Sequence, residues 1–402
     1  MRRDRRVPGV ATRLVKPLAT YGQRFDFNSL NRPVSHQLFE ADTMPTTGEP
    51  LVSVVMVISN VERFVAEAIE SVLGQTFRDF EFIIVDFGST DKTKDIAASY
   101  AVKDSRIRLS EIAPCSYIEA KIAACSLPTG RYIAIQDADD VSLPDRLKAE
   151  VDFMEKHPEV GLLGGAIQRI DADGKYLTIA DDYPTEDKEI RAVLKEWNTF
   201  WHPTVLILRK AFVEVGGYRE PSSPSDDYDL WLRISEHYQC ANLKQVVLKY
   251  RIHQQQLSIR KRKQQILCVL AAQASASLRA AGSPDPLNSI KQITPAVLVG
   301  MGVSEATQTN KLAEGYFSMI NQMYEAGERA AVLEAAAEMF QLCEGESAER
   351  RYISDVHVIS AKTNWEQGRI LSSILSAGRA VLARPRVVAR PLKRLLRPFG
   401  SS

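Results

Sequence analysis

No stretch of the 402-residue chain holds the roughly 18 consecutive apolar residues that a membrane-spanning helix requires. Cysteine is scarce too. Cys115, Cys125, Cys240, Cys268 and Cys343 are scattered and odd in number, and no two are in CxxC spacing. That argues against a zinc knuckle or a disulfide framework and fits a reducing cytoplasm. The N-terminus carries Arg2, Arg3, Arg5 and Arg6 but lacks the apolar core of a signal peptide, so a cytoplasmic protein is expected. Net charge is nearly absent at +1, which offers no general argument for nucleic acid, and none is expected as a partner. Acidic residues are missing from one place in particular, the basic stretch from Arg379 to Arg397.

What is present is an ordinary globular composition, 45% hydrophobic and 25% charged, with length enough for two domains and tails. Residues 1–50 read as a loosely ordered lead-in that ends in the polar, Pro-containing stretch Thr43–Pro50. Val52–Ile58 is then a short β-branched run with the look of a strand buried on both faces. Helical spacing follows at 62–73, with Phe64, Ala68, Ile69, Val72 and Leu73 on one side. Phe82–Val85 reads as a strand, 91–101 and 118–127 as helices, and Tyr132–Ile135 as a strand. A further helix opens at Pro144, a favoured first-turn residue, and ends at His157-Pro158. Strands alternating with helices predict an α/β fold with a doubly wound, mostly parallel sheet flanked by helices. From 259 to 402 the pattern is all-helical, over 259–282, 305–343 and 346–382, with a basic tail.

Ligands in such sheets bind beyond the carboxyl ends of the strands. Asp86 follows Val85 there, and Asp137, Asp139 and Asp140 follow Ile135. Carboxylates crowded this closely repel unless a cation neutralises them, and hard oxygen ligands favour magnesium or manganese shared with phosphates. The competing reading is a solvated turn ahead of Pro144. A second acidic cluster, Asp226-Asp227-Tyr-Asp229, opens a helix-like segment. The helix dipole alone accounts for acids at such a start, while one carboxylate there is a candidate general base. His253 follows a strand predicted over Gln245–Tyr250, and only the fold decides whether it reaches the aspartates; His202 reads as structural.

The ordered pieces together resemble the family 2 glycosyltransferases. They are Val52-Ser-Val-Val-Met56 with Asn60, Ser71–Phe77, Phe82–Asp91, Gly130–Asp140, Pro144–Leu147, Gly216-Gly-Tyr218, Asp226–Arg233 and Tyr250-Arg-Ile-His253 with Ser258. They span about half the chain, and the helical C-terminal part lies outside them. The resemblance implies a GT-A-type domain over 51–258 and a divalent cation (Mn2+ or Mg2+) as cofactor. It also implies inverting transfer from a nucleotide-sugar donor to a glycan or lipid-linked acceptor. Carried over position by position, Asp137 and Asp139 look like the DxD pair, with Asp139 on the metal. Asp227 looks like the general base, His253 like the late histidine near metal or diphosphate, and Asp86 like a residue of the nucleotide pocket.

The departures sit in that pocket. Phe87 stands where the family has a second aspartate, and Val57 and Ser59 stand where it often has Pro and Tyr. Ala120-Lys121-Ile122 replaces Ala-Arg-Asn near the phosphates, so Lys121 keeps the charge without the guanidinium fork. Phe87 is suited to stacking on a base. These changes also motivate an alternative, a degenerate non-catalytic scaffold that binds nucleotide sugar or glycan. The basic segment Arg379–Phe399 suggests peripheral contact with the inner face of a membrane, although Pro385, Pro391 and Pro398 interrupt any continuous helix.

Overall fold

The computed structural model describes residues 48–343 and 350–384. The lead-in before residue 48 and the tail beyond Arg384, including most of the expected membrane-contact segment, lie outside the described residues. In chain order the first half runs β1 (Val52–Ile58), α1 (Val65–Leu73), β2 (Phe80–Asp86), α2 (Thr93–Ala101), β3 (Ile107–Glu111), α3 (Tyr117–Cys125), β4 (Tyr132–Ile135), β5 (Val141–Ser142) and α4 (Arg146–Met154). It continues with β6 (Val160–Ile170), β7 (Tyr176–Ala180), α5 (Asp187–Leu194), β8 (Leu206–Leu208), α6 (Arg209–Glu214), α7 (Asp226–Ser235) and β9 (Gln239–Arg251). The rest is helical: α8 (Leu257–Arg260), α9 (Arg262–Ala280), α10 (Pro295–Gly300), α11 (Glu305–Glu325), α12 (Arg329–Leu342), α13 (Arg350–Glu366) and α14 (Ile370–Ala383).

The strands form one nine-stranded sheet in the order β3-β2-β1-β4-β8-β6-β9-β5, with β7 added on β6. From β3 to β4 every pairing is parallel, as the alternating strand–helix pattern implies. Beyond β4 the sheet is mixed. β8 runs antiparallel to both β4 and β6, while β6 and β9 are parallel. The apolar runs of β1 and β2 are explained by burial on both faces. Val55, Ile83 and Val85 point into one core with α3 and α7, whereas Val54, Met56, Phe82 and Ile84 point into the other with α1 and α4. Helix α1 presents Val65, Ala68, Ile69 and Val72, an i, i+3, i+4, i+7 stripe, to that second core. Helix α3 starts at a reciprocal capping box between Ser116 and Glu119, which fixes where its buried Lys121 stands.

Helix α9 belongs to both halves. Ala272 packs in the core of the α/β part, while Leu267 and Cys268 pack with Leu287, Ile293 and Leu298 of the following segment. Helices α11, α12 and α13 build a separate core around Tyr316, Ile320, Val332 and Val356. Gly315 lets α9 and α11 approach closely, because a Cβ there would sit 2.5 Å from Cδ1 of Ile266.

Candidate active site

The acidic loop after β4 is held rigid from beneath. Gln136, buried, donates from Nε2 to the carbonyls of Asp137 (2.9 Å) and Asp140 (3.1 Å). Its Oε1 accepts from Ser142 Oγ at 2.6 Å and from Arg146 at 3.1 Å. Arg146, 1% exposed, also donates to the Ile135 carbonyl at 2.9 Å and pairs with Glu150 at 2.9 Å. Side chains locked this way give the aspartates fixed positions at the strand end.

The three acids then divide. Asp140 turns inward and accepts the Arg251 backbone N–H at 2.8 Å. Burial, with Asp139 and Asp137 alongside, pushes its carboxyl well above the usual range, and it does not line the cleft. Asp139 and Asp137 face the cleft. Asp139 Oδ2 lies 2.8 Å from Nε2 of His253, whose ring packs against Phe64 with centroids 4.8 Å apart. Arg251 steadies this corner by donating from Nε to the Asp139 carbonyl at 2.8 Å and pairing with Glu67 at 2.7 Å. Asp137 lies 3.3 Å from Nδ1 of His202. Burial opposes ionisation of Asp137, but His202, Lys121 and Arg146 outweigh it and hold its carboxyl below the usual value.

His202, read from sequence as structural, is therefore part of this group. It sits on a 3₁₀ turn, His202–Thr204, and its Nε2 is 3.1 Å from the Tyr218 hydroxyl and 3.4 Å from Lys121 Nζ. No spacing in the sequence marks it; only the fold carries that turn to the end of β4. Lys121 is 5% exposed and pairs with Asp226 at 2.5 Å. Burial works against its ammonium, but Asp226, Asp227 and Asp137 reverse that effect and raise it, so it stays cationic.

The first turn of α7 sorts the second acidic cluster as well. Asp226 is held by Lys121, and Asp229 is fully buried between Arg219 and Arg233. Asp227 faces the cleft and accepts from Asn198 Nδ2 at 3.2 Å. Burial raises its carboxyl, Asp226 adds to this, and His202 and Lys121 only partly offset it.

Asp137, Asp139, Asp227 and His253 thus line one cleft of about 1470 Å³, although three separate segments supply them. One wall is formed by Val57, Ser59, Phe87 and Tyr117, the last two rings meeting edge-on at 6.2 Å. Asn60, which also borders it, has φ 53°, a left-handed conformation that asparagine tolerates. Its Oδ1 accepts from the Thr90 amide at 2.9 Å. Asp86 is placed behind this wall. It is 1% exposed, and its Oδ1 accepts the Gly88 and Ser89 amides at 3.0 and 3.1 Å, shaping the loop that presents Phe87. Ile122 packs against the core of the α/β part. Another part of the lining contains Arg169, Trp201, Tyr250 and Arg262, with Trp201 and Tyr250 5.3 Å apart and the Arg169 guanidinium 5.4 Å over Trp201.

Among the described residues no group of three or more His, Cys, Asp and Glu side chains converges into a closed metal site. Asp139 Oδ2 and His253 Nε2 nevertheless form an oxygen–imidazole pair on the cleft at 2.8 Å. The Asp139 carboxylate suits an open site whose remaining positions are taken by substrate phosphates and water, as is usual for a hard divalent cation, with the softer His253 imidazole at its edge. The residues fit a divalent cation on those terms.

Comparison with known proteins bears on the family of the chain. Residues 53–216 match the model of the glycosyl transferase family 2. The uncharacterized glycosyltransferase MJ1057 of Methanocaldococcus jannaschii is 35% identical over 208 residues, which cover 51% of this chain and 71% of that protein. The O-antigen biosynthesis glycosyltransferase WbnJ of Escherichia coli is 31% identical over 210 residues, 50% of this chain and 80% of its own. Among solved structures, S. aureus TarS 1-349 aligns over 83% of this chain and 92% of that one, with a TM-score of 0.48 and 15% identity. A chain that shares this much sequence with these relatives over most of their length belongs to glycosyl transferase family 2 and is a glycosyltransferase.

Proposed function

We propose that the enzyme is a metal-dependent, inverting transferase that moves a sugar from a nucleotide-sugar donor to a glycan or lipid-linked acceptor. The observation that carries this reading is the opening of Asp137, Asp139 with His253, and Asp227 onto a single cleft. The base of the donor nucleotide belongs on the wall of Phe87 and Tyr117, where Phe87 supplies a stacking face in place of a carboxylate. Asp86 acts from behind by fixing the loop that carries Phe87. Asp139 and His253 would hold the cation, which when bound stabilises the negative charge that grows on the departing diphosphate. Asp137, kept ionised by its cationic neighbours, borders the same position. Lys121 is committed to Asp226, so its part is to offset the acids of this corner rather than to grip a phosphate directly.

Asp227 takes the proton of the acceptor hydroxyl. As that oxygen bonds to the anomeric carbon, the bond from that carbon to the diphosphate oxygen breaks, and attack from the opposite face inverts the centre. A raised carboxyl is a stronger base than an exposed one, which suits Asp227 to the step. The acceptor belongs on the Trp201–Tyr250 wall, where aromatic faces and the Arg169 and Arg262 guanidinium groups border the cleft. Peripheral contact of the C-terminal part with the inner face of a membrane completes the reading. None of the described helices is long and apolar enough to cross one.

A panel of UDP-, GDP- and dTDP-sugars, scored for nucleoside diphosphate release with manganese or magnesium, tests the proposal. One donor is expected to turn over only with metal. Turnover that survives both a chelator and Asp139→Ala overturns the metal-dependent reading.

A further inference from the structure

Helix α14 is built inside out. Its buried positions are Ser373 and Ala380, two turns apart on one stripe. These small side chains let it lie close against α13. Ser373 Oγ donates to the Ala361 carbonyl at 2.8 Å, and Ser354 Oγ donates to that of Ala380 at 3.0 Å. The bulky apolar side chains point away from this contact. Ile370, Leu371, Ile374 and Leu375 are 56%, 77%, 63% and 58% exposed, and Leu382 is 81% exposed. Their i, i+1, i+4, i+5, i+12 spacing gathers them on one side of the helix. A helix that served only to complete a core would show the reverse, and a contiguous apolar face left in water marks an interaction surface.

Charge indicates what covers it. From residue 367 to 402 the sequence has no Asp or Glu. Arg369, Arg379 and Arg384 lie on α14 or at its ends, and five more basic residues follow beyond. A second copy docked through this face would bring like charges together. An anionic lipid surface meets both features, because acyl chains cover the leucines and isoleucines while headgroups pair with the arginines. We propose that α14 is a docking helix that lies in the plane of an anionic membrane surface with its Ile/Leu face inward. The inference rests on the membrane contact proposed above and assigns it to a defined helix face. Helix α14 packs on α13 and α13 on α11, whose Lys311 and Gly315 line the cleft, so a helical layer joins the docked face to the acceptor side.

The test is co-sedimentation of the full chain with phosphatidylglycerol-containing vesicles and with pure phosphatidylcholine vesicles. It compares the native protein, Leu371→Glu combined with Leu375→Glu, and a chain ending at Arg384. Both leucines are exposed, so the double variant is expected to keep its circular dichroism spectrum and its lipid-free nucleoside diphosphate release. That second readout separates failure of docking from failure of the transferase reading. The native chain is expected to bind the anionic vesicles preferentially, and the double variant to bind them about 100-fold more weakly. Three results overturn the proposal. One is unchanged vesicle binding by the double variant. Another is binding lost only when the tail is removed. The third is a native dimer, seen by size exclusion, that the double variant dissociates without any vesicle binding by the native chain.

Discussion

Replacing Asp227 with Asn removes one negative charge and the proton acceptor while keeping the side-chain shape and a partner for Asn198, now 3.2 Å away. General-base catalysis contributes about 10²–10⁴-fold to a rate. The structure points to the middle of that range, because the adjacent carboxylate is tied up in an ion pair and is a poor substitute. Asp226 also borders the cleft, but its carboxylate is paired with the buried Lys121 at 2.5 Å. The expected loss in kcat is therefore about 10³-fold, equivalent to about 4 kcal/mol of transition-state stabilisation. The assay is steady-state transfer, with nucleoside diphosphate affinity measured by calorimetry alongside it. Affinity is expected to stay near the native value, since the role proposed for Asp227 is toward the acceptor hydroxyl. The pH profile supplies a second check. A base must be ionised, so native kcat/KM falls as pH drops through the carboxyl's value. Burial has raised that value above the ordinary 3.8, so the fall begins at a higher pH than an exposed aspartate would give. The variant is expected to lose this acid limb. Near-native turnover, or a loss matched by an equal loss of nucleotide affinity, refutes the assignment of Asp227 as base.

Other consequences follow from the same geometry. Loss of even an outer partner costs a metal site about 10–100-fold, so Asp139→Asn and His253→Ala are each expected to raise the metal concentration for half-maximal activity by about 100-fold or more, read by manganese titration. Gly315→Val drives a side chain into Ile266 at the α9–α11 contact. It should cost about 1–3 kcal/mol in denaturant unfolding and raise KM for acceptor more than for donor. His357, stacked on Phe340 at 3.9 Å, is held down to about 4 by burial and by Arg379. The unfolded imidazole takes up its proton near 6.5 and the folded one only near 4, so native stability is lost as pH falls through that window, by about 1–3 kcal/mol. His357→Phe is expected to flatten thermal unfolding between those pH values.

Much of this was legible in the sequence where burial is two-sided. The runs Val52–Ile58, Phe82–Val85 and Tyr132–Ile135 have no polar face to confuse the pattern, and each is a strand. The long strand β6 was hidden by its glycines. Those glycines are required by neighbours, since a Cβ on Gly164 would lie 2.3 Å from Asn242 and one on Gly165 2.6 Å from Val247. Helix α4 begins at Arg146 rather than Pro144, because Pro144 and Asp145 form the turn that leads into it. Within the site, the crowding of aspartates was visible but their division of labour was not. Whether an acid faces the cleft, like Asp139, or a backbone amide, like Asp140, depends on β9 arriving more than a hundred residues later. The orientation of α14 was hidden for a similar reason. Its pattern alone would bury Ile374 and Leu375, and only the close Ser373 and Ala380 contact with α13 shows that face turned outward.

The most direct measurement is the anomeric configuration of the first-formed product, followed by proton NMR during turnover with the accepted donor and manganese. If Asp227 activates the acceptor on the face opposite the departing diphosphate, as proposed, the product's anomeric centre is inverted relative to the donor and forms only while metal is present. A product that retains the donor's configuration, or that forms equally well in chelator, contradicts the account.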